Sequence, residues 1–315
     1  MIEGRASNPR KTKINLASAA LLAGIALLVA LGFLPGWLGH SGWGELLFPG
    51  EAARAHSVAV HFIDVGQGDS ILLVAGGEAM LIDGGERGQE ETVIRYLREQ
   101  GVEELRYVVS THPHSDHLGG LAYGVLEAFP IREVIAPRLP EEIMPDTRTY
   151  ERFLTVLARL QEEQGTKMTP AQPGKKYKLG GGEFTVLGPI EISQDNMNDN
   201  SVVIHFHYRD FSVLLMGDAE KSAENLLIAQ WGANLDADIL KAGHHGSKTS
   251  SNKKFLDVVT PEAAVITCGT GNSYKHPHED TLERLEDRGV TVYRTDLDGD
   301  VVIRSDGAEW WKDNS

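Results

Sequence analysis

Cysteine is almost missing from this 315-residue chain, which carries it once, at Cys268. A single thiol excludes an intramolecular disulfide and any zinc site built from cysteines. In the run Ala263-Ala264-Val265-Ile266-Thr267-Cys268 it reads as a small buried apolar side chain. Positive charge is also short: 30 Lys and Arg stand against 45 Asp and Glu, a formal net charge of −15. Residues 1–56 hold five basic and three acidic side chains, so residues 57–315 carry about −17. That balance excludes tight passive binding of nucleic acid through a broad basic face. No internal repeat divides the chain. With 41% hydrophobic and 24% charged residues it has the composition of an ordinary globular protein, long enough for one large α/β domain or two modest ones.

What is present begins with Arg5, Arg10, Lys11 and Lys13, followed by an uncharged, mostly apolar run from Ile14 to Leu34. About 20 such residues suffice to cross a bilayer as a helix. Basic residues ahead of the run, with none close behind, leave the N-terminus cytoplasmic and the remainder outside. The expectation is a single-pass cell-membrane protein: a basic cytoplasmic segment over 1–13, a transmembrane anchor over 14–34, a Gly-, Pro- and Trp-rich juxtamembrane linker over 35–56, and an extracytoplasmic domain over 57–315. The rival is a cleaved signal peptide, on Ala53-Arg54-Ala55. That tripeptide lies about 20 residues beyond the apolar run, and the uncleaved anchor is favoured.

Within 57–315, apolar patterning and turn chemistry predict strands at 58–64, 71–74 and 80–83, the first two separated by Gly66-Gln67-Gly68-Asp69. Helical spacing around 92–97 ends at Gly101, and a short strand covers 107–109. A further short strand falls at 134–136. The portion from Arg138 to Lys178 is less regular; only Phe153, Leu154, Leu157 and Leu160 keep helical spacing, so it reads as an inserted helix with loops that shape substrate access. Strands follow at 183–187, 201–208, 211–216, 237–241 and 263–267, helices at 219–230 and 279–288, and two short strands close the domain. Two halves that each mix strands with surface helices predict an α/β sandwich of two sheets covered by helices.

The densest chemistry lies in Ser110-Thr111-His112-Pro113-His114-Ser115-Asp116-His117-Leu118-Gly119-Gly120, three imidazoles and one carboxylate within six positions. Imidazole nitrogen and carboxylate oxygen suit Zn²⁺ and similar first-row divalent ions. Pro113 biases His112 towards an extended conformation, and Gly119-Gly120 allows tight turning or close approach. The segment reads as strand, ligand loop, helix. A polar loop with chance histidines is the alternative. Against it, Asp83, Asp218 and His244-His245 also stand where predicted strands run out, which would gather them on one rim.

The pattern His112-x-His114-x-Asp116-His117, preceded by Asp83-Gly84-Gly85 and followed by Gly217-Asp218 and His244-His245-Gly246, resembles the metallo-β-lactamase fold superfamily. More narrowly, Asp64-Val65-Gly66-Gln67-Gly68-Asp69-Ser70, Leu240-Lys241-Ala242-Gly243-His244-His245-Gly246-Ser247 and Tyr274-Lys275-His276-Pro277-His278 are similar to the C-terminal domain of the ComEC competence proteins, across nearly all of 57–305. The resemblance implies an αββα sandwich of two mixed sheets flanked by helices, and two divalent metal ions, Zn or Mn. It implies His112 and His114 on the first ion, Asp116 and His117 on the second with a histidine from 244–245, and Asp218 bridging. His244 is preferred as the ligand and His245 as a substrate contact. Asp83 would orient a ligand imidazole from behind, and Asp69 would support the metal loop. The superfamily usually adds a histidine between the cluster and the bridging aspartate. Here Asn196-Met197-Asn198-Asp199-Asn200-Ser201 occupies that interval, so Asn198 or water would complete the first position and leave it more open to Mn²⁺. His205 and His207 share one face of a strand, a spacing of core or surface residues more than of ligands.

Two such ions lower the pKa of a bridging water and clamp both oxygens of an in-line displacement at phosphorus. Asp116 and His245 would serve catalysis beside them. Lys248, with Lys241 and Lys275, would hold a non-bridging phosphate oxygen, each against the alternative of a solvated surface charge; Ser247 would add a hydrogen bond. His276 or His278 would protonate the leaving alkoxide. The expected function is a membrane-anchored, metal-dependent phosphodiesterase acting on DNA or another nucleic acid through local, salt-sensitive contact. The alternatives are an envelope phosphodiesterase, such as a phosphorylcholine esterase, and a non-catalytic, metal-stabilised envelope module.

Overall fold

The computed structural model describes residues 57–313, so the basic segment, anchor and linker read at 1–13, 14–34 and 35–56 lie outside the described residues. Among those described, no helix is long and apolar enough to cross a membrane. The domain opens with the antiparallel strands β1 (Val58–Phe62), β2 (Ile71–Ala75) and β3 (Glu78–Ile82). Helix α1 (Glu90–Glu99) then leads into β4 (Leu105–Val109), parallel to β3. Helix α2 (Ser115–Gly120) and its continuation to Ala128 connect β4 to β5 (Ile131–Ala136), and α3 (Arg148–Gln164) connects β5 to β6 (Lys167–Pro170), all in parallel pairing.

The second sheet repeats the plan. Antiparallel β7 (Lys176–Leu179), β8 (Gly182–Gly188), β9 (Val203–Tyr208) and β10 (Phe211–Leu215) come first. Helices α4 (Lys221–Trp231), α5 (Lys253–Val259) and α6 (Glu279–Glu286) then alternate with the parallel strands β11 (Ile239–Lys241), β12 (Ala263–Ile266) and β13 (Thr291–Arg294). The chain returns to the first sheet as β14 (Val301–Ser305) beside β1 and β15 (Trp310–Lys312) at the edge.

Three apolar clusters mark three interfaces and hence four layers. Phe62, Met80, Phe184 and Phe206 fill the space between the sheets. Leu72, Leu81, Leu97 and Phe153 seal the first sheet under α1 to α3, and Leu214, Leu227, Phe255 and Leu285 seal the second under α4 to α6. Adjacent residues such as Ile71 and Leu72 serve opposite interfaces because successive strand side chains point to opposite faces. Burial on both faces is why these strands read as continuous apolar runs. The expected αββα sandwich of two mixed sheets is the fold observed.

Residues 138–178 differ from expectation. Besides α3, they contain β6, which ends the first sheet, and β7, which begins the second. The segment is the crossover between the sheets, and α3 packs Phe153, Val156, Leu157 and Leu160 into the domain. Both strands lie on edges, where one buried face suffices and lysines are tolerated; Lys176-Tyr177-Lys178-Leu179 alternates exposed and buried residues. Helix α5 is a further element that the apolar patterning does not predict. Its signal is Asn252, whose Oδ1 accepts the amides of Lys254 and Phe255 as an N-cap.

Gly119 and Gly120 serve close approach rather than turning, since both lie within α2. A Cβ on Gly120 would collide with the carbonyl of Gly84, and one on Gly119 with the backbone of Arg87. The Gly84 amide donates to His117 O (2.8 Å) and the Gly120 amide to Gly85 O (2.9 Å). The glycines thus press the ligand helix against the loop that follows β3. Gly120→Ala is expected to destabilise the domain by about 1–3 kcal/mol; an unchanged urea midpoint would contradict this packing.

Candidate metal centre

Parallel pairing of β3 and β4 sets the segments that follow them side by side. Asp83, the residue after β3, adopts φ 57°, a left-handed conformation that Asp tolerates better than most residues. Its carboxylate accepts the Thr111 amide (2.8 Å), the Thr111 hydroxyl (2.6 Å) and Nδ1 of His117 (2.8 Å). The Thr111 hydroxyl, having given its proton to Asp83, can only accept from His112 Nδ1, 3.1 Å away. On the opposite side, His245 Nδ1 donates to the carbonyl of Thr267 (2.9 Å). Each of these imidazoles therefore carries a proton on Nδ1, held by an acceptor behind it, and turns Nε2 the other way.

All three Nε2 atoms face Asp218. The His117 Nε2 lies 3.2 Å from Oδ1, while the His245 and His112 Nε2 atoms lie 3.5 and 3.8 Å from Oδ2. Asp116 Oδ2 is 3.4 Å from His245 Nε2. Ligand atoms of Asp116, His117, Asp218 and His245 all fall within 4.8 Å of one another. The Nε2 atoms of His117 and His245 and the Oδ1 of Asp218 are buried without a well-formed hydrogen bond. Buried polar atoms left unpaired are costly and rare. Two nitrogens and two carboxylates converging in this way fit a divalent cation.

The electrostatics follow the same geometry. Burial opposes charge on His117, yet Asp218, Asp83 and Asp116 hold it well above the ordinary imidazole range. Burial likewise opposes charge on His245, and Asp218 with Asp116 and Asp69 prevails. Asp218 stays well below the usual carboxylate range because His117 and His245 outweigh its burial. His112, by contrast, is held well below the ordinary range by burial and then by His117. His114, exposed at the mouth, brings Nδ1 within 3.0 Å of His112 Nε2.

The structure brings His245, rather than His244, into the four-residue group. Both residues have positive φ, 48° and 52°, so the backbone turns between them and their ring centroids lie 6.1 Å apart. His245 is buried; His244 is partly exposed, with Nδ1 2.9 Å from Glu220 Oε1 and Nε2 3.8 Å from Asp218 Oδ2. Glu220, the residue before α4, is not among the expected site residues; its place two residues after Asp218 is the signal for it. It also accepts from Asn198 Nδ2 (3.0 Å), and the Asn198 Oδ1 is another buried atom without a partner.

Lys241 is not a rim cation. It is fully buried at the end of β11, with Nζ 2.7 Å from Asp69 Oδ2. The Thr267 hydroxyl donates to Asp69 Oδ1, and His245 Nδ1 is 3.3 Å from the same oxygen. Burial favours the neutral Asp69 carboxyl, but Lys241 and His245 hold it well below the usual range. Lys248 and Lys275 are exposed. The Lys248 amide donates to His278 Nδ1 (3.0 Å), just ahead of α6. His276 is buried, its Nδ1 has no partner, and burial, then His244 and His245, depress it to about 4. It is therefore neutral at neutral pH and is not a standing imidazolium acid. His205 and His207 pack ring to ring on β9, at 4.1 Å, outside the group. The centre opens into a cavity of about 270 Å³ lined by His114, Asp116, Asn198, Asp218, His244 and His276, among others.

Lys241→Met leaves the Asp69 carboxylate buried without its lysine, and is expected to cost about 3–5 kcal/mol. A solvated lysine at this position would cost within about 0.5 kcal/mol. Because the Asp69 carboxyl is depressed in the fold, the pair's contribution is complete above the unfolded value near 4 and is lost as pH falls below it. Urea unfolding of both proteins from pH 7 to pH 3 should show the gap narrowing on acidification.

Residues 63–270 match the metallo-beta-lactamase superfamily. The chain is 28% identical to ComE operon protein 3 of Bacillus subtilis (strain 168) over 263 residues, covering 78% of this chain and 33% of that protein. It is 33% identical to competence protein ComA of Neisseria gonorrhoeae over 286 residues, covering 89% and 37%. With recombination protein 2 of Haemophilus influenzae it shares 32% identity over 249 residues, covering 78% and 28%. The chain thus spans about a third of the length of these curated relatives, whose names agree with the ComEC-like motifs. Among solved structures, CmlA, a diiron beta-hydroxylase from Streptomyces venezuelae, superposes with a TM-score of 0.52 at 13% identity over 79% of this chain and 54% of that one, a likeness of fold alone. The matched span, the four-layer fold and the centre on its rim agree: the chain belongs to the metallo-beta-lactamase superfamily.

Proposed function

We propose that this domain is a metal-dependent phosphodiesterase of nuclease type, with DNA as its substrate. The observation that carries the reading is the convergence of three Nε2 atoms, each set by an Nδ1 partner, on Asp218 at the floor of an open polar cavity. Asp116, His117, Asp218 and His245 would hold one divalent ion, Zn or Mn; His112, His114 and Asp218 would hold a second, with Asn198 Oδ1 available beside them. Such ions, when bound, supply an activated water and positive charge for an in-line displacement at phosphorus.

The remaining residues bind and orient. His244, fixed by Glu220, stands on the cavity wall as a substrate contact. The roles of His244 and His245 are thus exchanged relative to the sequence expectation. Lys248 offers an exposed charge to a phosphate oxygen, and its amide donates to His278 Nδ1, which leaves the Nε2–H of a neutral imidazole as a hydrogen-bond donor to the substrate rather than an imidazolium acid. His276, neutral and buried, lines the cavity and positions its neighbours. An open cavity favours catalysis over a purely structural metal, whose site protein ligands would close. Residues 14–34 would anchor the chain in the cell membrane, with the domain outside.

The full chain, stripped by chelation and resupplied with Zn²⁺ or Mn²⁺, is expected to hydrolyse bis(p-nitrophenyl) phosphate and single-stranded DNA. Asp218→Ala should lose at least about 100-fold in rate, since even outer partners of metal ligands are worth 10- to 100-fold. If neither substrate turns over with either metal, while Asp116→Ala merely lowers the thermal midpoint, the reading fails.

A further inference from the structure

Tyr274 is 61% exposed and lines the same cavity as His114, Asp218 and His244. The other large hydrophobic side chains left exposed among the described residues, Met144, Leu154, Leu297 and Trp311, do not line it. A single exposed apolar residue needs no explanation by itself. Tyr274 is distinguished by its support. Its ring stacks on His276, with centroids 5.7 Å apart and planes 22° apart. His276 in turn meets His244 and His278 edge-on, at 5.3 and 4.9 Å.

The loop beneath is tightly fastened. Asn272 Nδ2 donates to the carbonyls of Gly269 (2.9 Å) and His276 (2.6 Å), and Asn272 Oδ1 accepts the His276 amide (2.9 Å). The Lys275 amide donates to Asn272 O (3.2 Å), and the Gly269 amide to Gln67 Oε1 (3.3 Å). An aromatic ring presented by a preset loop loses little conformational freedom on binding.

We propose that Tyr274 is the platform on which a nucleobase of the substrate stacks beside the scissile phosphodiester. The inference rests on the phosphodiesterase reading and deepens it. Every base has a π-face, so stacking on an aromatic side chain tolerates any sequence. A paired base inside a duplex has both faces covered by its neighbours, whereas an unpaired base has a face to offer, which directs the site to single strands and ends. The charge balance favours such a contribution: residues 57–315 carry about −17, so a broad basic face is not available to hold the phosphates. Stacking supplies affinity that the electrostatics of this domain withhold.

The test is fluorescence anisotropy of the full chain with a labelled thymidine oligomer of about 12 nucleotides and an abasic oligomer of equal length. Measurement in EDTA prevents hydrolysis. Wild type should bind the base-bearing oligomer about tenfold tighter. Tyr274→Ala should abolish that preference, Tyr274→Trp should retain it, and Leu297→Ala, outside the cavity lining, should leave it intact. The inference is overturned if wild type shows no preference, if Tyr274→Ala keeps it, or if Tyr274→Ala weakens both oligomers equally. Turnover in Zn²⁺ or Mn²⁺ separates the two readings. Base preference without turnover sinks the phosphodiesterase and spares the stacking platform; turnover without base preference does the reverse.

Discussion

The buried pair of Asp69 and Lys241 is the constraint on which the rest of the site depends. Asp69 comes from the loop between β1 and β2 of the first sheet, and Lys241 ends β11 of the second, so their contact ties the two sheets together at the rim. Thr267, which follows β12, and His245 complete the set around the same carboxylate. A buried ion pair returns little net stability, because desolvation offsets most of the attraction. Its value here is positional. Asp69 also donates its amide to Asp116 O (3.1 Å), so one residue sets both the loop that carries Asp116 and the turn that carries His245.

From this constraint follows the character of the centre. Asp69, Asp83 and Asp218 are buried and Asp116 is partly so, and Lys241 compensates one of them. The remaining negative charge draws protons onto His117 and His245, which is why both stay well above the ordinary imidazole range. A divalent cation held at the same Nε2 atoms would take the place of those protons, so its binding would release them. The Nδ1 contacts to Asp83 and Thr267 lie on the far side of each ring from Nε2 and hold the rings aimed at Asp218.

The superfamily assignment explains the scaffold and leaves the chemistry to particular residues, because one fold supports unrelated activities. Two sheets of like plan place the ends of β3, β4, β10 and β11 on a common rim, and the candidate ligands lie just beyond those ends. On that rim Asn198 donates to Glu220, and the fastened loop presents Tyr274 next to the cavity.

Much of this could be read from the residues alone. Apolar runs buried on two faces mark the central strands, and the candidate ligands stand as polar stops at strand ends. The edge strands β6 and β7 escaped because a strand with one dry face needs few apolar residues. Sequence by itself thus determined the four-layer architecture and the residue set His112, His114, Asp116, His117, Asp218 and His244-His245, since periodicity and ligand chemistry are local properties of the chain. Only the tertiary structure decided that His245 is the one turned inward, that Lys241 is a buried counter-charge and that Tyr274 stands at the cavity mouth. The first depends on two consecutive left-handed residues. The others depend on contacts across more than a hundred positions of sequence, which no local pattern encodes.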